Sequence, residues 1–242
     1  MIIESKENKK IKYLKKLRSN KFMNEEKKFI VEGEHLVKEA KETGVLIETY
    51  SVTDVNYGVL NTVISKNLME YVSNLPSCPL VIGVVKFIDE DLTLGDKIII
   101  LDNVQDPGNL GTIIRSAKAF NVDTVVLSLG CVRKYNEKVV RASQGMLFKV
   151  NVVTKDLKYF IPYLKENGYK VYATSVINGK DVRKADLSGK VAVVMGNEGQ
   201  GIEDEIKELL DESIYIEMND DCESLNVSVA ASIIMYEMNK EN

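Results

Sequence analysis

Apolar and polar residues follow two different rhythms along this chain. Over residues 5–20, Ile11, Leu14 and Leu17 recur every third position among lysines, the spacing of one face of an amphipathic helix. FIVEGEHLVKEAKETG (29–44) reads as a short strand, then a helix that opens near Gly33 and stops at Gly44. Short apolar runs follow in LIETYSV, NTVIS and PLVIGVVKF. Together they predict a small α/β unit over residues 1–90, with polar FIDEDLTLGDK (87–97) as the linker.

From residue 97 the pattern becomes a strong strand–helix alternation. KIIILDNV, DTVVLS, YKVYATS, KVAVVMG and SIYIEM are bounded apolar runs of strand length. Between and after them, DPGNLGTIIRSAKAF turns and then opens a helix near Asn109, and NEKVVRAS, LKYFIPYLKENG, GIEDEIKELLDE and SLNVSVAASIIMYEMN read as helical. Pro162 is expected to cap or bend the third, and Val229, Ile233 and Tyr236 mark a stripe on the last. Strands alternating with helices imply a mostly parallel sheet covered on both faces, so residues 97–242 form a second α/β module.

Composition narrows the picture. The apolar fraction of 45% and charged fraction of 28% are those of a soluble globular protein. No window is long and apolar enough for a membrane helix, and the N-terminus lacks the apolar core and cleavage site of a secretory signal. Cys78, Cys131 and Cys222 are odd in number and scattered, which points to reduced thiols in cytoplasm and away from a disulfide frame or a metal site. The net charge of −4 hides an asymmetry: residues 1–28 carry ten basic side chains against four acids, whereas residues 199–242 carry twelve acids against two lysines. Polyanions are steered by local fields, so the N-terminal part remains a candidate surface for RNA or DNA.

Candidate chemistry gathers at three strand ends. The first strand leads into Asp106-Pro107-Gly108-Asn109-Leu110-Gly111 and a helix carrying Arg115. VAVVM leads into Gly196-Asn197-Glu198-Gly199-Gln200-Gly201, and IYIEM into an acidic stretch ending Ser224-Leu225-Asn226. In open α/β sheets ligands sit beyond the carboxyl ends of strands, where three such loops can build one pocket. The glycine loop lacks the lysine and hydroxyl of a P-loop and the glycine order of a dinucleotide fingerprint, which favours a ligand other than a nucleotide phosphate. His35 reads as surface or packing, and the eight methionines as core filler. Arg133, Lys134, Lys138 and Arg141 form a basic cluster that suits either an RNA backbone or a solvated helix face.

DPGNLGTIIRSAKAFNVDTVVLS, VMGNEGQGI and IEMNDDCESLNVSVAASIIMYE resemble, in order, the three motifs of the SpoU (TrmH-type) branch of the SPOUT RNA methyltransferases, over residues 97–242. IKYLKKLRSNKFMNEEKKFIVEGEHLVKEA is similar to the L30e-like substrate-binding domain that often precedes that catalytic domain. The resemblance implies a C-terminal SPOUT domain with a parallel sheet and a deep trefoil knot, preceded by a small L30e-like α/β domain. It implies S-adenosyl-L-methionine as methyl donor, a ribose 2′-hydroxyl of structured RNA as acceptor, and a homodimer formed through the knotted domain, without metal or membrane. Ribosomal RNA, 23S in particular, is preferred over tRNA. A non-catalytic RNA-binding or ribosome assembly factor with the same fold is the other alternative.

Carried over by position, the resemblance has Gly196, Ile216 and Leu225 lining the donor pocket, with Met195 and Met218 adjoining it. Gly201 belongs to the same loop, and Thr174 contributes from the preceding strand end. Arg115 matches the motif arginine; because a guanidinium is a poor base at neutral pH, its expected role is to hold a phosphate or the developing alkoxide. Asn109, Glu198, Ser224 and Asn226 match the remaining polar positions. Glu198 is expected to fix Arg115 or an asparagine, the asparagines to bind ribose and phosphate, and Ser224 to serve the site or merely cap the last helix.

Overall fold

Two β-sheets organise the chain, one in each of two units, Met1–Asp89 and Glu90–Asn242. The computed structural model describes residues 2–91, 93–176 and 179–240. In the first unit the elements run α1 (Lys9–Leu17), α2 (Asn20–Glu26), β1 (Lys28–Glu32), α3 (Glu34–Glu42), β2 (Leu46–Ser51), β3 (Leu60–Val63), α4 (Lys66–Val72) and β4 (Val81–Lys86). The helix expected over residues 5–20 is shorter and is followed at once by a second. The Ser19 side chain explains the break, since it accepts from the Phe22 amide at 3.3 Å and caps α2.

The first sheet has the order β1-β4-β2-β3, with β4 antiparallel to both of its neighbours and β2 parallel to β3. Alternation decides its faces. Ile82 and Val84 of β4, with Ile30 and Tyr50, pack under Ile11, Leu14 and Leu17 of α1 and Leu68, Met69 and Val72 of α4. An ion pair closes this layer: Arg18 reaches the Glu32 carboxylate and donates to the Val72 carbonyl at 2.7 Å. Glu32 also accepts from the Asn74 amide at 3.1 Å and the Ser73 hydroxyl at 3.2 Å.

The second unit comprises β5 (Lys97–Leu101), α5 (Pro107–Ala119), β6 (Thr124–Leu127), α6 (Glu137–Ala142), β7 (Asn151–Thr154), α7 (Leu157–Glu166), β8 (Lys170–Thr174), β9 (Lys180–Asp181), β10 (Val191–Met195), α8 (Asp204–Lys207), β11 (Glu212–Tyr215) and α9 (Val227–Met238). Its strands lie in the order β7-β6-β5-β10-β8-β11-β9, every pairing parallel. β10 thus inserts between β5 and β8. Strand order reverses there, and such a switch point leaves a crevice beyond the carboxyl ends of the strands. Leu157, Phe160, Ile161 and Leu164 of α7 pack on Ile98, Ile100, Val126 and Val194 to form the core on one side of the sheet.

Two helices differ from expectation. GIEDEIKELLDE is helical only over the four residues of α8. Ile202 and Ile206 are buried there, but Asp211 then exchanges backbone hydrogen bonding with β8: its amide donates to the Val171 carbonyl at 2.9 Å while its carboxylate accepts from the Val171 amide at 3.0 Å. That pairing draws the chain out of the helix. In α9 the core face is Val227, Ala231, Ile234, Met235 and Met238, while Val229 and Tyr236 are 47% and 53% exposed. The sequence stripe of Val229, Ile233 and Tyr236 is therefore the outer one. α9 is apolar nearly all round, so periodicity alone does not choose its inner face. Pro162 sits inside α7 rather than capping it.

Candidate functional site

Helix caps build the site from below. Asp106 caps α5, its carboxylate accepting from the Asn109 amide at 2.8 Å, with Pro107 in the first turn where no amide is needed. Asn226 caps α9: its Oδ1 accepts from the Ser228 amide at 2.9 Å and from the Ser228 hydroxyl at 2.6 Å. Ser224, two residues earlier, is exposed and is not the cap. Because Oδ1 of Asn226 is committed to the helix, its Nδ2 turns outward and donates to Asn109 Oδ1 at 3.0 Å. Asn109 Nδ2 then donates to Glu198 Oε1 at 2.7 Å.

This chain of amides has one direction. A backbone amide can only donate, which fixes Asn226 at one end, and a carboxylate can only accept, which fixes Asn109 at the other. Segments 89 and 117 residues apart in sequence are joined in this way. Of the two partners expected for Glu198, the structure selects the asparagine. Arg115, two turns further along α5, is exposed and has no ion pair or hydrogen bond among the described residues. A second link between the helices, Ser116 Oγ to Ser232 Oγ at 2.8 Å, lies seven residues along α5 from Asn109, on the same side.

The glycine loop is shaped by its own backbone. Asn197 and Gly201 exchange both backbone hydrogen bonds at 2.9 Å, and Asn197 Oδ1 accepts from the Gly199 and Gln200 amides. The result is a tight turn with Glu198 near its tip. A Cβ on Gly196 would lie 2.2 Å from the carbonyl carbon of Gly201, and Gly201 itself has φ +73°. Both positions need glycine for reasons of space or conformation. Met195 is buried and its carbonyl accepts from the Asp102 amide at 2.8 Å. Thr174 donates from its hydroxyl to the Val194 carbonyl at 2.9 Å. Ile216, Met218 and Leu225 are half-buried on the β11–α9 segment.

A supporting layer escaped the sequence reading. Asp102, at the end of β5 and 2% exposed, accepts from the Glu203 amide at 2.9 Å. Burial pushes its carboxyl above the usual carboxylate range, an effect the Glu203 amide opposes. Asn103 adopts φ 55°, donates to Glu203 Oε1 at 2.6 Å, and its carbonyl accepts from Asn197 Nδ2 at 2.7 Å. The two loops are thereby locked together at both ends of the glycine turn. An Asp-Asn pair just past a strand was the available signal, since asparagine tolerates the left-handed region.

The residues fit a bent adenosyl donor in kind. A loop of bare backbone offers backbone hydrogen-bonding groups, and half-buried Ile216, Met218 and Leu225 offer apolar surface, the two kinds of group that such a ligand requires. Among the described residues no three His, Cys, Asp or Glu side chains group as for a metal ion. No described helix is long and apolar enough to cross a membrane.

Comparison with known proteins identifies the family. The MRM3-like substrate binding domain matches residues 8–74, and the SpoU rRNA Methylase family matches residues 96–236. The 23S rRNA (guanosine(2553)-2'-O)-methyltransferase RlmP of Bacillus subtilis is 37% identical over 98% of both chains. The AdoMet-bound rRNA methyltransferase from Sinorhizobium meliloti superposes with a TM-score of 0.88 at 26% identity, covering 98% of this chain and 97% of that one. The TrmH/SpoU tRNA modifying enzyme of A. aeolicus, 32% identical, covers 60% of this chain and 74% of its own, with a TM-score of 0.55. A match across more than half the chain, together with a relative aligned from end to end, establishes that this chain belongs to the SpoU rRNA methylase family.

Proposed function

We propose that this SpoU-family protein transfers a methyl group from S-adenosyl-L-methionine to a ribose 2′-hydroxyl of 23S ribosomal RNA. The observation that carries this reading is the hydrogen-bonded chain Asn226–Asn109–Glu198, which joins three loops at the switch point, with Arg115, unpaired among the described residues, further along the helix of Asn109. When bound, the donor supplies an electrophilic methyl carbon for the 2′-oxygen. The backbone of Gly196 and Gly201 and the side chains of Ile216, Leu225 and Met218 would hold it. Met195 and Thr174 act from behind through their backbone-directed hydrogen bonds.

Asn109 and Asn226 position the ribose and its phosphate, with Glu198 keeping the amide of Asn109 turned. Ser224 stands exposed at the approach to the same pocket. Arg115 stabilises the adjoining phosphate or the charge that grows on the 2′-oxygen as the hydroxyl proton passes to solvent, worth about 3 kcal/mol for such a hydrogen-bond donor. A SPOUT trefoil knot around the glycine loop belongs to this reading. The N-terminal unit, with its lysine-rich α1, grips structured RNA.

Ribosomal rather than transfer RNA is favoured because the rRNA enzymes named above align with the whole chain, whereas the tRNA enzyme aligns with only part of it. A homodimer is supported by the outward stripe of Val229 and Tyr236 on α9, and the cytoplasm by the ribosomal substrate. The decisive experiment incubates the protein with labelled donor and 23S rRNA, then maps ribose methylation by nucleotide. A single new 2′-O-methyl nucleotide is expected. Donor binding without transfer to any RNA would favour an assembly factor, and transfer confined to tRNA would overturn the choice of substrate.

A further inference from the structure

We infer that α6 and the turn before it form an RNA-phosphate surface, built from Arg133, Lys138 and Arg141, that continues from Arg115. The inference rests on the proposed RNA methyl transfer and gives that reaction a second electrostatic contact within the catalytic unit. Its first support is that these cations cluster in sequence and lack the acidic partners that four lysines of the same unit have. Lys134 bonds Glu90, Lys158 bonds Glu205, Lys165 bonds Asp211, and Lys170 bonds Asp186. Arg133, Lys138 and Arg141 make no side-chain hydrogen bond or ion pair among the described residues. Like charges left together without counterions repel, and a polyanion relieves that repulsion while releasing its own counterions.

Packing sets α6, which carries two of these cations, against α5, which carries Arg115. A Cβ on Gly111 of α5 would lie 2.4 Å from the Ala142 Cβ and 2.8 Å from the Val139 carbonyl, so the two helices touch at that point. Arg115 is one turn further along the same side of α5, and Lys138 and Arg141, three apart, share one side of α6. Arg133 is exposed in the turn that enters α6, which is held by the Asn136 amide donating to the Arg133 carbonyl at 3.0 Å. The one acid of α6 is Glu137, which is half-buried.

The surface suits phosphate better than a protein partner. None of the exposed large apolar side chains falls within residues 131–149, whereas α9 presents Val229 and Tyr236. A protein interface needs an apolar centre. A phosphate backbone needs only fixed cations.

The test uses the full-length double variant Arg133→Gln and Lys138→Gln, both side chains being exposed. Binding to a 23S rRNA fragment is measured by fluorescence anisotropy across a series of KCl concentrations. Loss of two phosphate contacts should lower the slope of log affinity against log salt by about 2 and weaken binding about tenfold at low salt. Donor affinity by calorimetry, the melting temperature, and turnover at saturating RNA should stay at wild-type values. An unchanged salt slope overturns the surface. An unchanged slope accompanied by weakened self-association in sedimentation also overturns it, and assigns the face to a second copy. Wild-type protein that transfers no methyl group while the two slopes still differ would sink the reaction and leave the surface standing.

Discussion

The two units each contain a polar network, and the networks are built oppositely. In the first, Arg18 and Glu32 are 11% and 4% exposed, and their remaining hydrogen bonds go to the chain itself at Val72, Ser73 and Asn74. In the second, Glu198 is exposed at a loop tip and takes its hydrogen bond from Asn109, while Arg115, further along the helix that carries Asn109, has no partner among the described residues. A buried network of this kind directs its hydrogen bonds to its own fold. An open one retains donors and charge for something that arrives from outside. That contrast, rather than the number of polar residues, is what sets the proposed site apart.

Four substitutions probe the contrast, from the largest effect downward. Glu32→Ala leaves a buried guanidinium without its counterion and should cost about 3–5 kcal/mol in denaturant unfolding of the first unit, with donor affinity unchanged. Arg115→Ala should reduce methyl transfer by about 10²–10³ in turnover, leaving donor affinity and melting temperature nearly intact; normal turnover would remove Arg115 from the site. Gly196→Ala forces a Cβ against the Gly201–Ile202 backbone. Calorimetry should then report weakened donor binding, and unfolding a loss of about 1–3 kcal/mol. Glu198→Ala should slow turnover by about tenfold, the value of one hydrogen bond to a charged group, while changing stability by less than about 0.5 kcal/mol. If Glu198→Ala destabilised the protein as much as Glu32→Ala, the distinction between the networks would fail.

Local chemistry made much of this visible in advance. The glycine turn and the three strand ends were each readable from the chain, whereas α5 opens at Pro107 under an Asp106 cap, two residues before the start near Asn109 that the turn-like Asp-Pro-Gly suggested. The burial of Asp102 was not readable, because LDNV gives no sign that the carboxylate will accept from an amide 101 residues away. Nor was the end of α8 readable, which depends on the Val171 edge of β8. The acidic C-terminal segment was legible as charge. The stripe of Val229, Ile233 and Tyr236 on α9 was legible too, but not that it faces outward, since a helix apolar on nearly every side carries little phase information.

The sequence by itself determined periodicity, caps, turn glycines, and the three motifs that place the chain among the SpoU methylases. These are properties of neighbouring residues, governed by local sterics and short-range hydrogen bonds. Only the tertiary structure decided that β10 lies between β5 and β8, and hence that Asn109 meets both Glu198 and Asn226. Contacts across such distances follow from which strand edges pair. Strand order is settled by competition among whole surfaces, which no single stretch of residues encodes.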